Sequence, residues 1–131
     1  MKKIGILNRD ISRIVAETGH YDGVVVCDAG FPIPKGVPCI DLSLHFGSPT
    51  VLEVLRELAV ELPVELFYYA SEILDVEPNR EAQVREIFPD AQPVTMSHAE
   101  FKHLAAKANA VIRTGDTLSY SNVLVVTGVT Y

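Results

Sequence analysis

Three polar groups in this chain are placed to do chemistry: His20, Asp28 and the run Tyr120-Ser121-Asn122. An imidazole titrates near neutrality, with a free pKa of about 6.5, so it can give and take a proton under physiological conditions. A carboxylate such as Asp28 can orient that ring or accept from a ligand hydroxyl, and a phenol and an amide that both donate and accept suit a hydroxyl-rich ligand. His98 and Lys102, four apart and sharing one face of an expected helix, could add further contacts. Each group also has a plainer reading. His20 can be a helix-terminal cation, Asp28 a side chain satisfying local backbone donors, Tyr120 to Asn122 a polar turn, and His98 and Lys102 solvated helix residues.

Several other chemistries fit poorly. Cys27, Cys39 and the four histidines His20, His45, His98 and His103 lack the close ligand pairs of structural zinc, so no metal is expected. A phosphatase-like nucleophile at Asp28 would want a second carboxylate two residues on, where Gly30 stands. The loop after it lacks the glycine pattern that brings backbone donors around a phosphate. Neither cysteine has a histidine beside it in sequence to activate a thiolate.

The 131 residues suffice for one domain with one core, and 48% hydrophobic with 21% charged residues describes a folded chain. A net charge of -6 works against nucleic-acid phosphates and anionic lipid and leaves small neutral molecules as the easier substrates. Asn8-Arg9-Asp10 interrupts the first apolar run too early for a signal peptide, and no later run reaches membrane-spanning length. A cytoplasmic protein with reduced thiols is expected, and no nucleic-acid or membrane partner.

Helical and strand patterns alternate along the chain, which predicts a layered α/β domain. Asn8 or Asp10 caps a helix with Ile11, Ile14 and Val15 on one stripe and Gly19 as a left-handed stop. Val24 to Cys27 reads as a central strand buried on both faces. Three prolines between Phe31 and Pro38 make an ordered loop, and Cys39 to Leu44 returns as a strand. Ser48-Pro49 reads as cap and first residue of a helix over Val51 to Ala59. Val64 to Ala70 is a strand, Pro78 to Phe88 a mostly polar helix, and Pro93 to Met96 a strand. Ser97 and Glu100 form a capping box, so a helix starts at His98 with Phe101, Leu104, Ala105 and Ala108 inward. Ala110 to Arg113 and Val123 to Thr127 are the last two strands.

The polar clusters sit within stretches that closely resemble the RbsD/FucU family over essentially the whole chain. Those stretches are Leu7 to Ser12, Thr18-Gly19-His20-Tyr21-Asp22, Cys27 to Pro34, Ile112-Arg113-Thr114-Gly115-Asp116, Tyr120-Ser121-Asn122 and Gly128 to Tyr131. Ser121 departs from the alanine usual in the ribose-acting members. Gly30 to Pro34 stands where the fucose-acting members usually place a histidine and alanine, so ribose is favoured over fucose.

The resemblance implies a three-layer α/β/α sandwich with a mixed, largely parallel sheet of about six strands, spanning residues 1–131 as one domain. It also implies interconversion of the pyranose and furanose forms of D-ribose without a cofactor, feeding a kinase. His20 would be the proton donor, with Asp28, His98, Tyr120, Ser121 and Asn122 holding the sugar; to these the position of Lys102, one helical turn after His98, adds a further expected contact. A homodecamer of two pentameric rings, with neighbouring chains completing each site, is the implied assembly. His20 and Asp28 are expected to converge on one pocket able to hold a pentose. A fucose-type mutarotase and a non-catalytic sugar-binding or transporter-associated subunit are the alternatives.

Overall fold

A computed structural model describes residues 1–131. In chain order the elements are α1 (Arg9–Glu17), β1 (Gly23–Cys27), β2 (Cys39–Asp41), α2 (Val51–Glu61), β3 (Val64–Ala70), α3 (Ile73–Val76), α4 (Arg80–Ile87), β4 (Gln92–Met96), α5 (His98–Ala105), β5 (Ala110–Arg113) and β6 (Val123–Thr127). The strands form one sheet in the order β2-β5-β1-β6-β3-β4. β6 pairs antiparallel with β1 and β3, while the remaining pairs are parallel. Five strands therefore run one way and β6 alone runs back, a mixed and largely parallel sheet as expected.

The apolar runs of β1 and β6 are buried because the sheet is covered on both sides. Val24, Val26, Val123 and Val125 face one core, which is closed by α1, α2 and the α3–α4 segment through Ile11, Ile14, Leu55, Leu58, Ile73 and Val84. Val25, Cys27, Leu124 and Val126 face the other, closed by Phe101 and Ala105 of α5 and by Phe31 of the proline-rich loop. Phe31 and Phe101 meet edge to face with ring centroids 5.8 Å apart. The layers are uneven: four helices cover one face, and one helix with a loop covers the other. No helix is long and apolar enough to cross a membrane.

The helix starts follow their capping residues. Asn8 Oδ1 accepts from the N–H groups of Asp10 and Ile11, both at 3.0 Å, and opens α1. A cap of this kind is worth about 1 kcal/mol. Ser97 and Glu100 make the expected reciprocal box at α5.

Local readings change at four places. Gly19 is not a left-handed stop: α1 ends at Glu17 with Thr18 as its extended C-cap, and the positive φ falls on Tyr21, at 67°. The α2 cap is Thr50 boxed with Glu53, and Ser48 is drawn into a bridge with His45 instead. β2 stops at Asp41, since its side chain turns back to accept from the Ser43 N–H and hydroxyl. The expected polar helix starts at Arg80, after the separate short turn α3, and Arg80 itself is buried.

Candidate functional site

Direction within the sheet decides which polar groups can meet. Because β1, β3, β4 and β5 are parallel, their carboxyl ends share one edge, and the reversed β6 begins there. Asp28 follows β1, Glu72 follows β3, His98 follows β4, Thr114 to Asp116 follow β5, and Asn122 precedes β6. The crevice beyond the carboxyl ends of parallel strands is where α/β sheets take ligands. Thr114 Oγ1 donates to the Cys27 carbonyl at 2.7 Å and the Ala29 N–H donates to the Asp116 carbonyl at 2.9 Å, tying the end of β5 to the end of β1.

A cleft of about 280 Å³ opens at this edge, lined by Asp28, Gly30, Phe31, Pro32, His98, Ser119, Tyr120 and Asn122. Asn122 Oδ1 accepts from the Asp28 N–H at 2.8 Å, and Asp28 Oδ1 accepts from the Gly30 N–H at 3.0 Å. The His98 and Tyr120 rings meet edge to face at 5.0 Å. Glu72 holds the His98 N–H with both carboxylate oxygens, at 3.0 and 2.9 Å, and so fixes the residue at the start of α5. Burial raises the Asp28 pKa, and nearby Asp116 adds to the rise. The Gly30 N–H, the Asn122 amide and the His98 ring oppose it. Burial also pushes the Cys27 thiol up to about 12, with Asp28 adding, which keeps it protonated and unreactive.

Two polar atoms in the cleft are buried without a hydrogen-bond partner: His98 Nδ1 and Asn122 Nδ2. Such atoms are rare, because each forfeits its bonds to water. Their presence beside a buried carboxylate describes a site ready for a ligand with several hydroxyls. A larger hollow of about 580 Å³ lies between Gly5 to Asn8 and α2, but its lining is half apolar and brings together no comparable set of unspent polar groups.

His20 is not in this cleft. It precedes β1 at the opposite edge, stacked on Tyr21 at 4.0 Å, with Nε2 3.3 Å from Glu65 Oε2. An extended strand of five residues, at about 3.3 Å each, holds it on the order of 16 Å or more from Asp28. The expected convergence of His20 and Asp28 within one chain is thereby corrected: a straight strand separates what sequence proximity suggested.

Of the other expected site residues, Asp28, His98, Tyr120 and Asn122 line the cleft together. Ser121 lies between two of them with its side chain turned inward, accepting from Arg80 at 2.7 Å and donating to Asp116 at 3.3 Å. Lys102 is exposed on α5, outside the cleft lining. Sequence reasoning did not single out Glu72, Arg80, Asp116 or Ser119. For Asp116 a signal exists, since Thr114-Gly115-Asp116 follows a strand that ends at the same edge. For Arg80 there is none, because a charged first helical residue ordinarily faces water.

A model of the RbsD / FucU transport protein family matches residues 1–130. A D-ribose pyranase from Kosmotoga olearia is 45% identical over 132 residues, covering 100% of both chains. The structure of Bacillus subtilis RbsD complexed with D-ribose matches with a TM-score of 0.95 at 40% identity, over 100% of each chain. The fucose mutarotase in complex with L-fucose from Streptococcus pneumoniae matches with a TM-score of 0.81 at 21% identity, again over 100% of each, and shares the fold. This chain belongs to the RbsD/FucU family.

Proposed function

We propose that the chain is an intramolecular isomerase that interconverts the pyranose and furanose forms of D-ribose, working in the cytoplasm in ribose catabolism and supplying furanose to a kinase. One observation carries the reading: a pentose-sized cleft where a buried carboxylate faces two unspent polar atoms, in a family whose 45% identical member is a D-ribose pyranase.

Ring exchange needs a proton delivered to the ring oxygen while the anomeric hydroxyl loses its own. The open carbonyl form then closes on a different hydroxyl. Positioned acid-base help in such a step contributes about 10²–10⁴-fold. Asp28 accepts from a sugar hydroxyl, and the Asn122 amide and His98 ring spend their free atoms on others. Tyr120 closes the side, Ser121 contributes through its main chain, and Lys102 touches the sugar from the outer rim.

His20 is the proton donor, and it comes from a second copy of the chain. The separation of His20 from Asp28 in one chain supports this assignment, as does the exposure of His20 on an open edge. The assembly is a homodecamer of two pentameric rings.

Saturation-transfer NMR on ribose tests the activity directly. The expected result is exchange well above the buffer rate, with ribose ahead of fucose, galactose and glucose. Exchange at the buffer rate despite ribose binding would instead identify a non-catalytic sugar-binding subunit. Mixing and reassembling His20→Ala with Asp28→Asn tests the two-chain site, because heteromers regenerate intact sites from two inactive parents. Failure to recover any exchange refutes it.

A further inference from the structure

The segment that grips the sugar is itself gripped from behind. Ser121 sits between Tyr120 and Asn122, and only its side chain points away from the cleft, into a pocket where it is 1% exposed. There it accepts from Arg80 Nη1 at 2.7 Å and donates to Asp116 Oδ2 at 3.3 Å. Arg80 is 6% exposed and Asp116 7%, so two opposite charges are buried with one hydroxyl between them.

Asp116 is a hub of this segment. Its carboxylate also accepts from the N–H groups of Leu118 and of Val51 at the start of α2, each at 2.9 Å. Its carbonyl holds Ala29, next to Asp28. Arg80 is the first residue of α4, which contributes no side chain to the cleft. Tyr120 adopts a left-handed φ of 64°, a conformation that a non-glycine residue keeps only when its surroundings fix it.

A buried arginine bonded only to a serine hydroxyl, with Nε unpartnered, is an expensive way to finish a helix start. A hydrophobic side chain would fill the space at less cost. What the charge adds is a direction: it draws Ser121 to the side away from the cleft, and since neighbouring side chains turn to other sides, Tyr120 and Asn122 are turned toward the cleft. We propose that Arg80, relayed by Ser121 to Asp116, is a positioning residue that holds Tyr120 and Asn122 in their sugar-binding orientation and thereby sets the affinity for ribose. This rests on the ribose-site reading above, but the ordering of residues 118–122 does not.

Arg80→Met keeps most of the packing volume and removes the donor. The expected result is a rise of about tenfold in KM for ribose with kcat changed by less than about threefold, since the residue touches no reacting atom. Arg80→Lys restores a donor and recovers most of the loss. Ser121→Ala removes only the relay and leaves the two charges facing, so its KM rises less than that of Arg80→Met. Without sugar, hydrogen–deuterium exchange at residues 118–122 speeds up in Arg80→Met while α1 stays protected as in the wild type.

Unchanged KM together with unchanged exchange at residues 118–122 overturns the proposal, as does a loss confined to kcat. Should Arg80→Met not fold, the Arg80→Lys and Ser121→Ala pair decides by the same two readouts. If the wild type fails to accelerate ribose exchange, the functional reading falls, and amide exchange alone then decides whether Arg80 orders the segment.

Discussion

The two ends of β1 carry chemically similar equipment in opposite settings. At the carboxyl end, Asp28 and Asn122 are buried and bonded through a main-chain N–H, and Asn122 Nδ2 and His98 Nδ1 have no hydrogen-bond partner. At the amino end, His20 Nε2 lies 3.3 Å from Glu65 Oε2, with side chains 43% and 34% exposed. Burial at one end creates demand for a ligand and ties binding to folding. Exposure at the other lets an imidazole reach beyond its own chain without cost to the core. On the proposed function, the same strand separates recognition from proton exchange.

That division is broken most severely by His20→Ala. Ribose exchange should fall by about 10²–10⁴-fold while the thermal midpoint stays near the wild-type value, because an exposed side chain supports little of the fold. A large drop in melting temperature would show that this end is structural after all. Asn122→Ala should do the reverse in kind, leaving the Asp28 N–H buried without an acceptor. Urea denaturation should then show a loss of about 1–3 kcal/mol together with weaker ribose binding.

A smaller effect should come from the titration of Asp28. Its pKa lies above the ordinary 3.8, so the folded chain holds a proton that the unfolded chain releases. Its contribution is therefore most favourable below that ordinary value and is lost as pH rises through the raised one. Asp28→Asn removes this dependence. In denaturation midpoints the variant should gain on the wild type between mildly acidic and neutral pH, and a difference independent of pH would sink the burial account. Smallest is Lys102→Ala, for which a KM change under about threefold is expected, as befits an exposed side chain outside the cleft lining.

Much of the fold was legible because its signals are local. The valine runs of β1 and β6, the serine and glutamate of the α5 capping box, and the apolar stripe of α1 each declare an element within a few residues. The cleft residues Asp28, His98, Tyr120 and Asn122 were legible in turn because each stands at the end of such an element. Two things were not. The first is the separation of His20 from Asp28: closeness in sequence suggested convergence, whereas the two flank opposite ends of one extended strand. Arg80 looks like any polar first turn until α4 is packed against the loop that carries Ser121.

The straight run of β1 has a consequence for assembly. A chain whose giving group and receiving groups lie at opposite rims cannot serve itself, so on the two-chain reading every completed centre belongs to a junction. An open row of copies always leaves one giver and one receiver idle at its tips, whereas a closed arrangement leaves none. Catalytic output per subunit should then drop on dilution into single chains, though each one stays folded.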